Sequence, residues 1–294
     1  MIGPVGPEEF QRAVDEAVRS ALREDLDERG DVTAALVSED AMGTLRIVGR
    51  EEGIVAGTAC AIAAFRQVDS SLIIDWKCPD GTVIARGSVI AEINGSFRSI
   101  LTAERTALNF LGHLSGIATT TARFVAVVSS RNPNCVVLDT RKTTPLLRVL
   151  EKAAVVAGGG VNHRFGLSDA ILIKDNHLGA MSITEGVERS RVLHPSLAIE
   201  VECDTTDQAL EAVAAGAEAV LLDNMDAATV ASSVAAIRAA GGTTTRIEVS
   251  GGVTLDTAGD LAAAGADCIS VGALTHSSVV IDFGLDLVRD TPTN

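Results

Sequence analysis

The sequence is short of cysteine, aromatic residues, positive charge and long apolar runs, and each shortage removes a class of protein. Its five cysteines (Cys60, Cys78, Cys135, Cys203, Cys268) lie far apart and form no CxxC pair. That argues against a zinc knuckle and a disulfide framework, and fits a reducing cytoplasm. Seven phenylalanines, one tryptophan and no tyrosine, with 24 Lys plus Arg against 39 acids, leave a net charge of −15. Nucleic-acid binding draws on a basic stripe and often on stacking aromatics, so no such partner is expected. Apolar residues make up 47% of the chain. Yet no uninterrupted run nears the ~20 residues that span a bilayer, and even the Ala-rich stretch 209–220 is broken by Glu211 and Glu218. The first twenty residues carry acids and no apolar core, so no signal peptide is expected there.

What remains is a globular chain of 294 residues, long enough for two domains or one large α/β unit. Its first third reads as mixed. Residues 8–24 place Phe10, Ala13, Val14, Ala17, Val18 and Leu22 at helical spacing. Short β-like runs follow at 45–50, 54–57, 72–76 and 89–93, separated by glycine turns such as Pro79-Asp80-Gly81. Strands next to strands predict an antiparallel sheet with flanking helices. A long helical pattern then starts near Ser99.

After Arg131 six apolar β-rich runs appear, at 135–139, 170–174, 197–203, 219–223, 246–250 and 267–272, most separated by Ala-rich helical stretches. Strand, helix, strand in this rhythm predicts βαβ units around a parallel sheet. Six units fall short of the ~250 residues of a complete eight-unit barrel, so the expected fold is α/β, with an open, incomplete (β/α) barrel following the N-terminal α/β domain. The expected boundaries are 1–115 and 116–278, with the tail 279–294 able to pack back on the first domain.

Each run ends in, or leads into, a residue of chemical interest. Arg141 and Lys142 follow the first, Lys174 closes the second, Glu202 sits near the end of the third, and Asp223 ends the fourth. Ser250-Gly251-Gly252 follows the fifth and Gly272 closes the sixth. C-terminal strand ends converge on one face of a barrel, where active sites lie. A purely structural role would favour Val or Ile there, because unpaired buried charge is costly. The two glycine sites suggest a phosphate cradle, although ordinary helix–strand turns explain glycine spacing as well.

The segment 139–175 is net positive in an acidic chain. It holds Arg141, Lys142, Arg148, Lys152, Arg164 and Lys174, with His163 and Gly158-Gly159-Gly160 inside it. Arg148 and Lys152, four apart after Pro145, read as one solvated helix face. The others suit a small polyanion such as a dicarboxylate or pyrophosphate. The glycine triplet either admits a ligand closely or ends a helix.

The segments DTRKTTP (139–145), GGGVNHR (158–164), IKDNHL (173–178), LLDNM (221–225), SGG (250–252) and SVGALTHS (270–277) closely resemble the quinolinate phosphoribosyltransferase family. GDVT (30–33) and ERTALNFLGHLSGIAT (104–119) resemble it upstream, and the resemblance runs from about residue 20 to 285. It implies a two-domain subunit, an N-terminal α/β sandwich and an open barrel, in a cytoplasmic homodimer or higher assembly with shared active sites. It also implies Mg²⁺ and a place in NAD biosynthesis. The implied reaction joins quinolinate and phosphoribosyl pyrophosphate to give nicotinate mononucleotide, pyrophosphate and CO₂.

Carried over by position, the resemblance implies that Arg105, Arg141, His163, Arg164 and Lys174 bind quinolinate. Lys142, Glu202, Asp223, Ser250, Gly251, Gly272 and His276 would then hold phosphoribosyl pyrophosphate. Catalytic roles fall to Lys142, Lys174, Glu202 and Asp223, with Glu202 and Asp223 holding the metal directly or through water. Leu146, Ala153 and Asp204 depart from the family pattern, which has Gly, Tyr and Glu there. Three other readings stand beside this one: a phosphoribosyltransferase for nicotinate or another ring acid without decarboxylation, an aldolase-type lyase using Lys174 as a Schiff base, and a non-catalytic sensor of a phosphorylated metabolite.

Overall fold

A computed structural model describes residues 5–288 of the protein. The chain forms two compact units. Of the described residues, one contains 5–122, Thr143–Gly159 and 275–288; the other contains Arg123–Lys142 and Gly160–Leu274.

The first unit begins with α1 (Pro7–Leu26), which opens on Pro7 and carries Glu8 and Glu9 in its first turn, where proline's fixed φ and the helix dipole favour them. Its buried face is Val14, Val18 and Leu22. Then follow β1 (Met42–Gly49), β2 (Gly53–Ile54), α2 (Thr58–Val68), β3 (Ile73–Trp76), β4 (Val83–Ile84) and β5 (Val89–Ser96). The main sheet has β3, β5 and β1 side by side and antiparallel. Along β1, Leu45 and Ile47 are buried and pair with Ile93 and Ala91 of β5. Arg46, on the alternate face, pairs with Glu92 and meets its carboxylate at 2.7 Å. A strand from the far end of the chain, Phe283–Leu287, completes this sheet on the other edge of β1.

The long helix α3 (Phe97–Arg131) starts in the first unit and ends in the second. The second unit is built from β6 (Val136–Leu138), then, past α4 (Arg148–Ala157), from β7 (Ile171–Ile173), α5 (Asp175–Leu178), α6 (Ile183–Leu193), β8 (Ile199–Cys203), α7 (Thr206–Ala214), β9 (Ala219–Asp223), α8 (Ala227–Ala239), β10 (Arg246–Ser250), α9 (Leu255–Ala263) and β11 (Cys268–Ser270). A short helix, α10 (Ala273–His276), leads to the last strand, β12 (Phe283–Leu287). The six strands form one parallel sheet in the order β6-β11-β10-β9-β8-β7. The helices connecting them are the crossovers that parallel pairing requires. The barrel stays open between β6 and β7. In that gap Val161 makes a single parallel bridge to Leu138.

The segment Thr143–Gly159, which carries α4, groups with the first unit although it lies between two barrel strands in sequence. Lys152 on α4 is fully buried, which corrects the reading of Arg148 and Lys152 as a solvated face. Arg148 is half-buried and its Nε donates to Thr143 Oγ1 at 3.0 Å. The glycine triplet has a packing role: a Cβ at Gly158 would stand 2.3 Å from the Ala118 carbonyl oxygen on α3. Among the described residues no helix is long and apolar enough to cross a membrane.

Candidate active site

Strand order decides which candidates become neighbours. Around the sheet, Arg141 follows β6, Gly272 follows β11, Ser250 ends β10, Asp223 ends β9, Glu202 lies one residue before the end of β8, and Lys174 follows β7. All six strand-end positions therefore sit at one end of one sheet. Asp223 is in register with Ser250. Lys174 Nζ donates to Glu202 Oε2, so neighbouring strand ends share an ion pair in which Glu202 is mostly buried and Lys174 partly open. That pairing leaves Lys174 without the free, apolar setting that an amine nucleophile needs.

At the end of β10 the backbone turns so sharply that only glycine fits. Gly251 has φ +92°, and a Cβ there would stand 2.3 Å from Asn224 Oδ1. The same Asn224 donates through Nδ2 to Asp223 Oδ2 at 2.5 Å, and its backbone N–H donates to the Ser250 carbonyl at 3.0 Å, tying the ends of β9 and β10 together. Helix α9 begins at Leu255, four residues past Gly251, so the turn leads from the strand end paired with Asp223 into a helix N-terminus.

The loop 161–170 closes the gap in the barrel and carries His163 and Arg164. One buried carboxylate, Asp139, holds it: Oδ2 accepts from Asn162 Nδ2 at 2.5 Å and Oδ1 from the His163 N–H at 2.9 Å. Asp169 closes the other end, accepting the N–H groups of Phe165 and Gly166 at 2.6 and 3.0 Å. Arg164 is buried, donates through Nη1 to the Ala170 carbonyl at 3.0 Å, and is pressed below its usual pKa by burial and then by the like charge of Arg141. Two guanidiniums thus converge, an arrangement that an anion would relieve.

His163 points into the barrel. Its Nε2 lies 3.0 Å from Glu200 Oε2 and 3.5 Å from Glu248 Oε2, and Arg246 Nη2 lies 3.3 Å from Glu200 Oε1. Burial alone would lower the pKa of His163, but hydrogen bonds to Glu200 and Glu248 outweigh it and raise the value to about 9. The Arg164 N–H closes on Nδ1 at 2.7 Å, a contact suited to an unprotonated nitrogen. Charge-assisted bonds to two carboxylates are stronger than one neutral contact to the next residue's backbone, so the ring is cationic. Among the described residues, His163, Glu200 and Glu248 are also the group whose donor atoms could surround a metal ion; the imidazolium and Arg246 already supply positive charge there. Beside this cluster lies a cavity of about 140 Å³ lined by His163, Arg164, Glu200, Glu218 and Arg246. Glu200 and Arg246 belong to the strand starts, so the cluster reaches deeper into the barrel than the strand-end residues.

Glu200, Arg246, Glu248 and Asp139 escaped the sequence reading, which looked only at strand ends. A signal was there. IEVE and RIEVS alternate charge with Val or Ile, whereas buried parallel strands are near-continuously apolar, so charge at every second position marks a polar barrel interior.

Two expected site residues, Arg105 and His276, belong to the first unit. Arg105 is exposed on α3 in the first unit and lines a cavity of about 330 Å³ with Glu24, Asp25, Asn109, His113 and Leu147. His276, at the end of α10, is exposed, with Nδ1 2.7 Å from Ser277 Oγ. Lys142 is exposed at the start of the loop after β6, its N–H donating to Thr140 Oγ1 at 3.0 Å. Burial raises the Cys60, Cys135 and Cys203 thiols to about 12 and Cys268 well above its usual value, so none of these four serves as a nucleophile.

Comparison with known proteins gives a consistent result. Residues 31–115 match the N-terminal domain, and residues 117–286 the C-terminal domain, of quinolinate phosphoribosyl transferase. The chain is 41% identical over 286 residues to the nicotinate-nucleotide pyrophosphorylase [carboxylating] of Mycobacterium leprae, covering 95% of this chain and 98% of that one. It is 40% identical to the probable enzyme of the same name from Bacillus subtilis, over 88% of each chain. The solved nicotinate-nucleotide pyrophosphorylase from Francisella tularensis superposes with a TM-score of 0.88 at 38% identity, covering 95% of this chain and 97% of that one. Two domain matches spanning most of the chain, full-length relatives at this identity, and a shared two-unit fold establish that the protein belongs to the quinolinate phosphoribosyltransferase family.

Proposed function

We propose that the protein transfers phosphoribose from phosphoribosyl pyrophosphate to the ring nitrogen of quinolinate, with loss of CO₂, to form nicotinate mononucleotide. One observation carries this reading: in an acidic chain of this family, cations gather at Arg141, His163, Arg164 and Lys174 beside the carboxylates of Glu202 and Asp223 on adjacent strand ends. Guanidinium forks and an imidazolium suit a dicarboxylate ligand. Arg105 is assigned to the same ligand from a neighbouring subunit, in a homodimer with shared active sites.

Ser250, Gly251 and Gly272, with His276, are assigned to the 5′-phosphate, which the glycine turn can approach closely. Displacing pyrophosphate from C1 of the ribose builds oxocarbenium-like positive charge, which Glu202 and Asp223 stabilise. Lys142 meets the charge of the departing pyrophosphate. Two carboxylates at neighbouring strand ends form the all-oxygen donor set that Mg²⁺ takes together with substrate phosphates. Bound there, Mg²⁺ would neutralise pyrophosphate charge. Once alkylated, the ring nitrogen is cationic and stabilises the electron pair left on C2 when the adjacent carboxylate departs as CO₂; C2 then takes a proton from water, which gives the nicotinate ring. Loss of CO₂ therefore needs orientation from the protein and no side-chain base on carbon. Such a reaction belongs in the cytoplasm with NAD synthesis.

Substrate preference tests this reading. Quinolinate should be turned over at least ~100-fold more efficiently than nicotinate, because a single carboxylate leaves part of the cationic pocket unpaired. Equal kcat/KM for the two acids would favour a phosphoribosyltransferase that does not decarboxylate. Trapping of Lys174 by borohydride with a keto acid would favour the lyase.

A further inference from the structure

Glu248 is a fully buried carboxylate in the middle of β10, a position with no part in the reaction as derived above. Through Leu221 it stands in register with Glu202, and it lies two residues before Ser250, so it shares the inner face of the barrel with the site. Its Oε2 lies 3.5 Å from His163 Nε2 and 3.7 Å from Cys268 Sγ, and among the described residues its Oε1 is buried with no hydrogen-bond partner. Burial and the neighbouring Glu200 raise its pKa, against the hydrogen-bonding pull of His163 and Ser270. An acid kept only for the fold would have both oxygens satisfied, since buried polar groups almost always are. Among the described residues its ion-pair partner is His163, a residue assigned to the substrate.

We propose that Glu248 is a positioning residue for the anionic substrate: with Glu200 it holds the His163 ring by Nε2, and so fixes the loop that presents His163 and Arg164 to the substrate carboxylates. This rests on the assignment of His163 and Arg164 to quinolinate. The grip has two anchors, because Asp139 fixes the His163 N–H while the acids fix the ring. The charged and titratable groups around the ring are Glu200 on β8, Arg246 and Glu248 on β10, Cys268 on β11, Asp139 and Arg141 after β6, and Arg164 and Asp169 in the loop. Two acids lie within reach of Nε2, which explains why the ring holds its proton into the alkaline range.

The test is Glu248→Gln, which keeps the volume and removes the charge. Its KM for quinolinate, and the Kd of quinolinate measured alone, should rise about 10-fold, while the KM for phosphoribosyl pyrophosphate moves less than ~2-fold. The alkaline limb of the quinolinate-binding pH profile should move to lower pH, because His163 then loses its proton sooner. Glu248→Asp should restore part of the binding and return the limb toward the parental position. If both KM values and kcat shift together with no movement of the limb, Glu248 serves the fold alone and the proposal fails. A second readout does not depend on the Glu248 variants or on the identity of the substrate. In the parental protein with labelled histidines, with the His163 signal assigned by its absence in His163→Gln, that ring should titrate well above an ordinary histidine. Titration near pH 6.5 would overturn the grip. A parental protein that ignores quinolinate but titrates high would instead count against the substrate assignment.

Discussion

Leu146 is the residue at which this chain departs most visibly from its family pattern. It stands where glycine is expected, adopts φ +69°, and is 97% exposed. A left-handed backbone costs a leucine roughly 1–2 kcal/mol through the clash of Cβ with the following carbonyl, and an exposed side chain recovers little of that by burial. Leu146→Gly should therefore raise unfolding stability by ~0.5–1 kcal/mol, the relieved strain less the extra freedom of glycine in the unfolded chain. Chemical denaturation reads this directly. A loss of stability would mean that the leucine side chain is covered in the assembled protein. Neither Ala153 nor Asp204 contacts a proposed ligand residue by any hydrogen bond or ion pair described for the site, and nothing in the structure explains the two exchanges.

The strand is the scale at which sequence and structure agree best. β9 coincides with the apolar run at 219–223, because a parallel strand buried on both faces writes its boundaries as hydrophobicity, and β10 coincides with the run at 246–250 through the period-two spacing of Ile247 and Val249. β12 was not foreseen, since FGLDL is short and its partner β1 is more than two hundred residues away. Lys152 was misplaced for a related reason: helical spacing tells which residues share a face, and tertiary packing decides whether that face meets water. The strand ends also refine the division of the pocket. Asp223 accepts from Asn224 Nδ2 and stands in register with Ser250, on the side assigned to phosphoribosyl pyrophosphate, whereas Glu202 is ion-paired with Lys174. Lys142→Ala and Asp223→Ala should cut kcat by about 100-fold or more while quinolinate affinity stays within a few-fold. Glu202→Ala should alter both, because it also releases Lys174. Isothermal titration with quinolinate alone separates these outcomes, and a collapse of affinity in the Lys142 or Asp223 variant would show the division to be wrong.

At the scale of the whole molecule, ten of the twelve expected site residues belong to the barrel unit, and Arg105 and His276 belong to the other. No spacing in the sequence assigns Arg105 to its own barrel; the family resemblance is what suggests sharing between subunits. A two-fold dimer makes such sharing reciprocal. Arg105→Ala and Lys174→Ala should each be inactive as pure dimers. After random exchange of equal amounts, about half the dimers are mixed and each has one intact site, so ~a quarter of parental activity should return. Mixed dimers verified by a mass tag that remain inactive would place Arg105 in its own subunit's site or in none.

The central chemical claim is that a single substrate carboxylate leaves because its neighbouring ring nitrogen has been alkylated. Quinolinate labelled with ¹³C in the C2 carboxylate, incubated with the protein, phosphoribosyl pyrophosphate and Mg²⁺, tests it most directly. All of the label should appear as CO₂, in equal amount to nicotinate mononucleotide and pyrophosphate, and none should be released when phosphoribosyl pyrophosphate is left out. Label retained in the nucleotide, or CO₂ released without phosphoribosyl pyrophosphate, would contradict the mechanism.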